Sequence, residues 1–318
     1  MPATRRQLLL SSAAAGLVLG AGRAIAADTE RLRIGFQKSS TLMIYLKSRG
    51  TLEKVLAPRH VEVQWHEFSS GLPLLEALNV DALDLSADVA DAVPPFALAA
   101  GAKLTYFASE SPSPQAQAIV VRQDSPITSV AQLKGQKVAF AKGAGAHYLV
   151  LAALAQAGLS IKDIEPVYLS PADGRAAFER GSVAAWVIWD PFLAVVQRQS
   201  GARILRDGTQ LANYRRMYLA ATSYAQRRPD VLKAIYAELQ RAGDWMKKNP
   251  GPAAEWNAPL IGVDMQTVYE ANQRRSYRVQ AVDTEALAEQ QRIADAFTQA
   301  QILPRSVRVG DSAVWRPV

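Results

Sequence analysis

Short apolar strands alternate with helical segments through most of this chain, and that alternation limits the folds open to it. Arg31–Phe36, Lys137–Phe140 and Ala184–Ile188 are apolar runs typical of buried strands, and each is followed by a polar turn and a helical segment. Because strands that alternate with helices assemble into open sheets, the sequence predicts an α/β fold. Such sheets bind ligands where strand ends meet helix N-termini at a switch in strand order.

The last third of the chain has a different pattern. From Pro229 onward helices are predicted over Asp230–Asn249, Pro252–Ile261, Met265–Arg274 and Thr284–Ala300. Two α/β stretches followed by a helical tail predict two lobes with a cleft between them. A chain of 318 residues is long enough for two lobes of about 150 residues each.

The first 27 residues have the composition of an export signal. Met1–Arg6 is basic, Leu8–Gly22 is a run of fifteen uncharged residues, and Ala24-Ile25-Ala26 fits a small-residue cleavage site. A membrane span needs about 20 apolar residues, so the run is short for an anchor. We therefore expect residues 1–27 to be removed and the rest of the chain to act outside the cytoplasm.

The export route has two alternatives. Thr4–Leu9 resembles a twin-arginine signal, but Leu8 stands where that consensus prefers Phe, so the general secretory route remains open. The chain contains no cysteine, which excludes a lipidated N-terminal cysteine as well as disulfides and a thiol nucleophile. The expected location is the periplasm, without lipidation.

Composition also argues against several function classes. The net charge of +7 is spread without long basic runs, and three of the arginines fall in residues 1–27, so we expect no nucleic-acid partner. The chain has three histidines, His60, His66 and His147, which argues against a multi-histidine metal site. We expect neither a bound metal nor a cofactor.

Catalytic signatures are missing from the sequence. It contains no G-x-S-x-G elbow, no H-E-x-x-H and no G-x-x-x-x-G-K-[ST] loop. Gly143-x-Gly145 lacks the third glycine and the downstream acid of a dinucleotide fingerprint. His147 is the one histidine in a predicted loop, so an enzyme would have to use it as a base. The sequence favours a protein that is not an enzyme.

Two turns that lead into helices are candidates for an anion site. Gln37–Thr41 and Gly143–His147 contain small residues, which let an oxyanion approach the unpaired backbone N–H groups of a helix N-terminus. The alternative is that both are ordinary capped turns between a strand and a helix. The residues alone leave these two interpretations open.

A third candidate lies at the end of the apolar strand that contains Trp186. We expect Trp186 to be a core residue, whereas Trp189 and Asp190 lie where ligands bind in α/β sheets. Asp190 either lines the cleft or caps the helix that starts at Pro191. Arg274 and Arg275 either contact an anion or provide the positive charges that are common at a helix C-terminus.

These features occur within a longer resemblance. The segments that carry it, in order, are Leu32–Ser39, Leu74–Val80, Pro94–Ala97, Ala99–Ala102, Asp124–Ile127, Leu133–Phe140, Pro166–Asp173, Ala185–Phe192, Asp207–Thr209 and Val314–Pro317. Across about 280 residues the chain resembles the periplasmic aliphatic sulfonate-binding proteins of ABC importers, in the wider nitrate, sulfonate and taurine group.

The resemblance implies a fold and a function. The fold is the type II solute-binding fold, in which two lobes of open α/β sheet are joined by two crossover strands. Residues 28–117 and 222–318 would form the first lobe and residues 118–221 the second. The protein would be a monomer that binds a sulfonate between the lobes and delivers it to an ABC permease and its ATPase.

The resemblance also implies which residues contact the ligand. The implied ligand-binding residues are Gln37, Ser39, Ser40, Asp91, Ala92, Ala144, Gly145, Ala146, His147, Trp189, Asp190 and Arg274. Two segments differ from the family pattern. The usual Gly-Asp-x-Pro-Pro stretch is Ala90–Pro95 here, and the serine-rich turn of the second lobe is rich in alanine.

Because of these differences several ligands and classes stay open. The same fold could bind taurine, nitrate or a thiamin-precursor pyrimidine. A free Asp190 carboxylate would favour an amino-bearing ligand and disfavour nitrate. An exported enzyme that uses His147, and a sensor that reports its ligand to a signalling partner, are the alternatives from other classes.

Overall fold

The computed structural model describes residues 29–317. The predicted export signal, residues 1–27, lies outside this range. Within it no helix is long and apolar enough to cross a membrane.

The strands and helices follow the predicted alternation. The strands are β1 Glu30–Gln37, β2 Val61–Phe68, β3 Leu85–Ala90, β4 Leu104–Glu110, β5 Gln117–Val121, β6 Lys137–Phe140, β7 Glu165–Tyr168, β8 Ala185–Trp189, β9 Arg203–Asp207, β10 Arg216–Ala221, β11 Val279–Gln280 and β12 Ala313–Val314. The helices are α1 Thr41–Ser48, α2 Thr51–Leu56, α3 Gly71–Asn79, α4 Pro94–Ala99, α5 Gly145–Gln156, α6 Pro171–Glu179, α7 Phe192–Ser200, α8 Thr222–Arg227, α9 Pro229–Lys248, α10 Pro250–Ile261, α11 Met265–Arg274 and α12 Thr284–Gln299.

The strands form two sheets with the same internal plan. The first has the order β11-β4-β10-β3-β1-β2, with β12 also paired to β4, and the second has the order β7-β6-β8-β5-β9. In the first sheet β1 runs parallel to β2 and β3, while β10 is antiparallel to its neighbours β3 and β4. In the second sheet β6 runs parallel to β7 and β8, while β5 is antiparallel to β8 and β9. The expected α/β fold with two open sheets is confirmed.

Strands β5 and β10, each antiparallel to both of its neighbours, are those that follow the two crossings between the sheets. The chain leaves the first sheet after β4 and enters the second at β5, then leaves after β9 and returns at β10. Neighbouring parallel strands need a long crossover, usually a helix, whereas a strand that enters directly can pair antiparallel. Each crossing is short, and each entering strand pairs antiparallel with both of its neighbours.

The pairing of β10 corrects one expected lobe boundary. The resemblance places residues 216–221 in the second lobe, but β10 pairs with β3 and β4 in the first sheet. Its apolar sequence predicts a buried strand without naming the partner, because the partner strands lie more than 100 residues earlier. The return crossing therefore ends before Arg216.

Burial explains why the central strands are almost continuously apolar. Every residue of β4, β8 and β10 is buried, as expected for strands covered on both faces. The edge strand β2 is instead mostly half-buried or exposed, with Val61 as its one buried residue.

The helical tail matches its prediction within about two residues at each end. Asp264 caps α11 by accepting a hydrogen bond from the Thr267 N–H at 3.0 Å, and Asp283 caps α12 in the same way. The tail also reaches the second sheet's side of the molecule, because Arg198 on α7 forms an ion pair with Glu270 on α11 at 2.9 Å. Both lobes therefore contact the tail.

Candidate functional site

A cavity of about 370 Å³ lies between the two sheets at the carboxyl ends of their strands. From the first sheet it is lined by the turn after β1 and the turn after β2, and from the second by the turn after β7 and the end of β8. The lining residues are Gln37, Lys38, Ser39, Glu67, Phe68, Ser69, Ser170, Pro171, Ala172, Trp189 and Phe192. This inter-lobe cleft is where an open α/β sheet binds its ligand.

One wall of the cleft is apolar. Trp189 and Phe192 meet edge to face with ring centroids 6.2 Å apart, and both rings line the cavity. Phe68 faces them from the first sheet, and Pro171 adds a further apolar surface at the start of α6. A hydrocarbon chain fits against such a wall, since burying it removes apolar surface from water.

The opposite end of the cleft is polar. Ser39 is buried, and its Oγ has no hydrogen-bond partner. Gln37 holds the turn in place, because its N–H donates to Ser40 Oγ at 3.1 Å and its Nε2 donates to the Asp88 carbonyl at 3.1 Å. The prediction that Gln37 and Ser39 reach the cleft therefore agrees with their positions, whereas Ser40 lies beneath them and supports the turn.

Beside this polar end a smaller chamber opens, with a volume of about 20 Å³. It shares Lys38 and Ser39 with the cleft, and Asp190 and Pro191 separate it from Trp189 and Phe192. Its remaining polar lining consists of Thr41, Arg216, Asn257, Asn272, Arg275 and Tyr277. Sequence reasoning missed Arg216, Asn257 and Asn272, although an arginine at the start of the apolar run Met217–Ala221 was a usable signal.

A cluster of four buried charges forms the floor beneath the chamber. Arg275 binds Asp88 at 2.9 Å and Glu110 through its Nε at 2.8 Å, and Arg216 binds Asp88 at 3.2 Å. Tyr218 also donates to Glu110 at 2.7 Å. Burial alone would raise the pKa of Glu110, but Arg275, the Tyr218 hydroxyl and Arg216 together lower it. Burial instead raises the pKa of Asp88, although both guanidinium groups oppose it. The cluster therefore places two buried carboxyl groups beside two guanidinium groups.

The turn of the second lobe is covered. A Cβ added at Gly145 would lie 2.5 Å from the ring of Tyr214, and one at Gly143 would lie 3.2 Å from Leu72 of the first lobe. Ala144 and Ala146 are buried in the core. None of the predicted residues of this turn lines the cleft, because neighbouring side chains fill the space in front of the α5 N-terminus.

His147 has the contacts of a packing residue. Its Nδ1 accepts a hydrogen bond from the Gly143 N–H at 3.1 Å, and its ring packs among Phe140, Tyr168 and Phe297. Burial, with a smaller contribution from Lys142, lowers the pKa of His147 to about 3. The imidazole is therefore neutral and holds the turn.

Asp91 and Ala92 lie away from the cleft. The Asp91 carboxylate accepts a hydrogen bond from the Arg215 N–H at 2.8 Å, which ties the end of β3 to the segment before β10. Burial, reinforced by Glu289, raises the pKa of Asp91 to about 7. Ala92 is buried against Phe297 and its neighbours on the opposite side.

Asp190 and Arg274 bind each other. Arg274 Nη1 lies 3.1 and 3.3 Å from the two Asp190 oxygens, and its Nη2 donates to Gln197 at 2.6 Å. Asp190 also accepts a hydrogen bond from the Ala194 N–H in the first turn of α7. Burial raises the pKa of Asp190 to about 7, although Arg274 opposes it. Asp190 therefore caps helix α7 and pairs with Arg274 on α11, and it also lines the chamber.

In the part of the chain that the structure describes, no group of three or more His, Cys, Asp or Glu residues could hold a metal ion.

Known proteins resemble this chain in sequence. The family model described as NMT1/THI5 like matches residues 75–253. A relative from Escherichia coli (strain K12), named for binding aliphatic sulfonates, is 40% identical over 97% of this chain and 97% of its own length. A taurine-binding periplasmic protein of the same organism is 27% identical over 54% of each chain.

Solved structures share the architecture. The crystal structure of the periplasmic aliphatic sulphonate binding protein SsuA from Escherichia coli is 40% identical, with a TM-score of 0.81, and covers 90% of this chain and 97% of its own. The alkanesulfonate-binding protein SsuA from Xanthomonas axonopodis pv. citri, bound to MOPS, is 36% identical with a TM-score of 0.85 and coverages of 92% and 100%. The desulfurization enzyme DSZB, at 17% identity and a TM-score of 0.64, shares the fold alone.

Proposed function

This chain belongs to the NMT1/THI5-like family, and on that premise we propose that it is the periplasmic aliphatic sulfonate-binding component of an ABC importer. It captures an alkanesulfonate between its lobes and presents it to a membrane permease with an associated ATPase. Export by residues 1–27, through the twin-arginine or the general secretory route and without lipidation, belongs to the same proposal.

One observation carries the choice of ligand. The inter-lobe cleft has a buried, unpartnered Ser39 Oγ at one end and the Trp189 and Phe192 rings along the other wall. The Lys38 side chain is exposed at the polar end. A ligand with an anionic head and a hydrocarbon tail matches both ends at once, whereas nitrate would leave the apolar wall without a partner.

The pairing of Asp190 makes its carboxylate a weak partner for taurine. Taurine carries an ammonium group, which the exposed Glu67 in the cleft lining would have to balance instead. Both Asp190 oxygens lie within 3.3 Å of the Arg274 guanidinium. Because that guanidinium already neutralises the carboxylate, Asp190 gives little attraction to a second cation.

The position of His147 supports a receptor over an enzyme. A catalytic base must reach the proton that it removes. His147 lies outside the cleft lining, and one of its two nitrogens already accepts a backbone hydrogen bond. Of the predicted contacts, we propose that Gln37, Ser39 and Trp189 touch the ligand directly.

Titration calorimetry of the purified protein with unbranched alkanesulfonates of increasing length tests this function. Burying one methylene contributes about 0.8 kcal/mol, so each added carbon should tighten Kd about fourfold until the apolar wall is filled. Nitrate and sulfate should bind weakly or not at all. Absence of binding by every alkanesulfonate, together with tight binding of taurine or nitrate, would refute the proposed ligand class.

A further inference from the structure

The small chamber beside the cleft contains polar atoms without partners. Ser39 Oγ, Arg216 Nε, Asn257 Oδ1 and Asn272 Nδ2 are buried and make no hydrogen bond in the structure. All four residues line the chamber, and none is more than 7% exposed. Buried polar groups in folded proteins nearly always have a partner, so four such atoms around one space indicate a missing occupant.

The chemistry of these atoms selects the occupant. The Ser39 hydroxyl, the Arg216 Nε–H and the Asn272 amide group are hydrogen-bond donors. A half-turn of the Asn257 amide would present a fourth donor. The chamber therefore suits an atom that accepts several hydrogen bonds, which is the property of an oxyanion oxygen.

The charges around the chamber favour an anion. The cationic groups are Lys38, Arg216, Arg274 and Arg275, and the anionic groups that pair with them are Asp88, Glu110 and Asp190. Lys38 adds a further positive charge at the mouth of the chamber, while Glu67 lies on the cleft side. Lys38, which lines both the chamber and the cleft, has no ion-pair partner among residues 29–317. An anion at the chamber mouth would therefore meet a lysine that has no ion-pair partner.

The size and position of the chamber limit how a ligand enters it. A volume of about 20 Å³ holds one water-sized atom and not a whole sulfonate group. Since the chamber and the cleft share Ser39 and Lys38, a head group bound at that end of the cleft lies beside the chamber.

Resting on the function proposed above, we propose that one oxygen of the ligand's sulfonate group enters the chamber and accepts hydrogen bonds from Asn272, Arg216 and Ser39. The other two oxygens stay at the mouth near Lys38, and the alkyl chain lies against Trp189. Asn272 and Arg216 then recognise the head group, and the three-oxygen geometry distinguishes a sulfonate from a carboxylate of equal chain length.

The substitution Asn272→Asp tests the proposal with little change in shape. The new carboxylate keeps an oxygen to accept the Tyr277 hydroxyl, which now bonds to Asn272 Oδ1 at 2.6 Å. It replaces the donor that faces the chamber with a negative charge. Gln273→Glu is the matched control, because it makes the same charge change on an exposed neighbour of the same helix.

Titration with butane-1-sulfonate and with pentanoate gives the readout. We expect Asn272→Asp to weaken butane-1-sulfonate binding at least about 30-fold, as for a lost charge-assisted hydrogen bond. Gln273→Glu should stay within about twofold, and pentanoate should bind the unaltered protein more weakly than the sulfonate. If Asn272→Asp and the unaltered protein bind butane-1-sulfonate with equal affinity, the proposed role of the chamber is wrong, while the proposed function still stands. Failure of the unaltered protein to bind any alkanesulfonate would instead overturn the function.

A crystal structure of the unaltered protein with butane-1-sulfonate supplies a second test that no folding defect can affect. The chain has no cysteine and five methionines, so an additional anomalous sulfur peak identifies the sulfonate. We expect that sulfur to lie within about 4 Å of Asn272 Nδ2, because the sulfur is one S–O bond away from the oxygen that accepts the hydrogen bond. A sulfur peak elsewhere in the cleft, with water in the chamber, would overturn the proposal.

Discussion

Replacing Arg275 by methionine should expose how much the buried charge cluster matters to folding. Arg275 is buried and bonds through its guanidinium to Asp88 at 2.9 Å, to Glu110 at 2.8 Å and to the Ser39 carbonyl at 2.7 Å. Methionine fills much of the volume of the side chain and removes the charge. Two buried carboxylates then share the single remaining guanidinium, that of Arg216.

The magnitude follows from the position of these groups. Removing one partner from a buried ion pair costs about 3–5 kcal/mol, because an uncompensated charge stays in the interior. Asp88 and Glu110 are both fully buried, so solvent does not reduce the cost. We expect Arg275→Met to lower the free energy of unfolding by that amount at pH 7. Arg278→Met, the same change three residues later on an exposed side chain, should change it by less than about 0.5 kcal/mol.

Urea unfolding at several pH values measures the effect and checks its cause. In the unaltered protein the pKa of Glu110 lies below its ordinary value, so its contribution to stability is present at neutral pH and lost as the pH falls through that lowered pKa. In Arg275→Met that guanidinium no longer offsets the effect of burial, so the pKa of Glu110 should rise. The stability gap between the two proteins should therefore be larger at pH 8 than at pH 5.

Adding Glu110→Gln to Arg275→Met completes the test. The second change removes the uncompensated charge, so the double variant should recover part of the lost stability, as coupled neighbours do. A loss below about 1 kcal/mol in Arg275→Met, or a loss that does not depend on pH, would refute the argument that this cluster is desolvated.

Three further predictions concern single sites. Closure over a ligand should change the fluorescence of Trp189, so Trp189→Phe should reduce the signal induced by an alkanesulfonate; an undiminished signal would place another tryptophan in the cleft. Because the pKa of Asp91 is raised to about 7, this carboxyl lowers the free energy of unfolding as the pH rises from 4 to 7. Asp91→Asn should reduce that decrease, measured by urea unfolding, by up to about 1.4 kcal/mol per pH unit. An unchanged pH dependence of the unfolding free energy would contradict this prediction. Gly145→Ala should lower the free energy of unfolding by about 1–3 kcal/mol, because the added methyl group would meet the Tyr214 ring. Gly251→Ala, with open space around it, should be neutral or slightly stabilising. Equal thermal midpoints of the two variants would contradict the close approach of Tyr214 to Gly145.

Much of the fold and the polar end of the cleft could be predicted from local sequence. The alternation of strands and helices, and the tail over residues 229–300, follow from hydrophobic periodicity and capping residues, which act between near neighbours. Gln37, Ser39 and Trp189 could be placed at the cleft because they directly follow or end buried strands, and strand ends meet at one edge of a sheet.

The rest of the site depends on contacts between distant segments. Arg275 binds Asp88 from 187 positions away, and Tyr214 covers the α5 N-terminus, which was predicted to face the ligand. Asn257 and Asn272 join Ser39 in one chamber only after α10 and α11 have packed against the cleft. No local pattern distinguishes these residues from ordinary helix or strand positions.

The sequence by itself therefore determined which segments form strands and helices and which strand ends could bind a ligand. The tertiary structure decided that β10 pairs in the first sheet and that Asp190 forms an ion pair with Arg274. It also decided that hydrogen-bond donors without partners surround a chamber about the size of one oxygen atom. The physical reason is the range of the forces involved. Backbone preferences and amphipathic periodicity act over a few residues, whereas burial of charge and pairing of donors depend on which distant segments exclude water together.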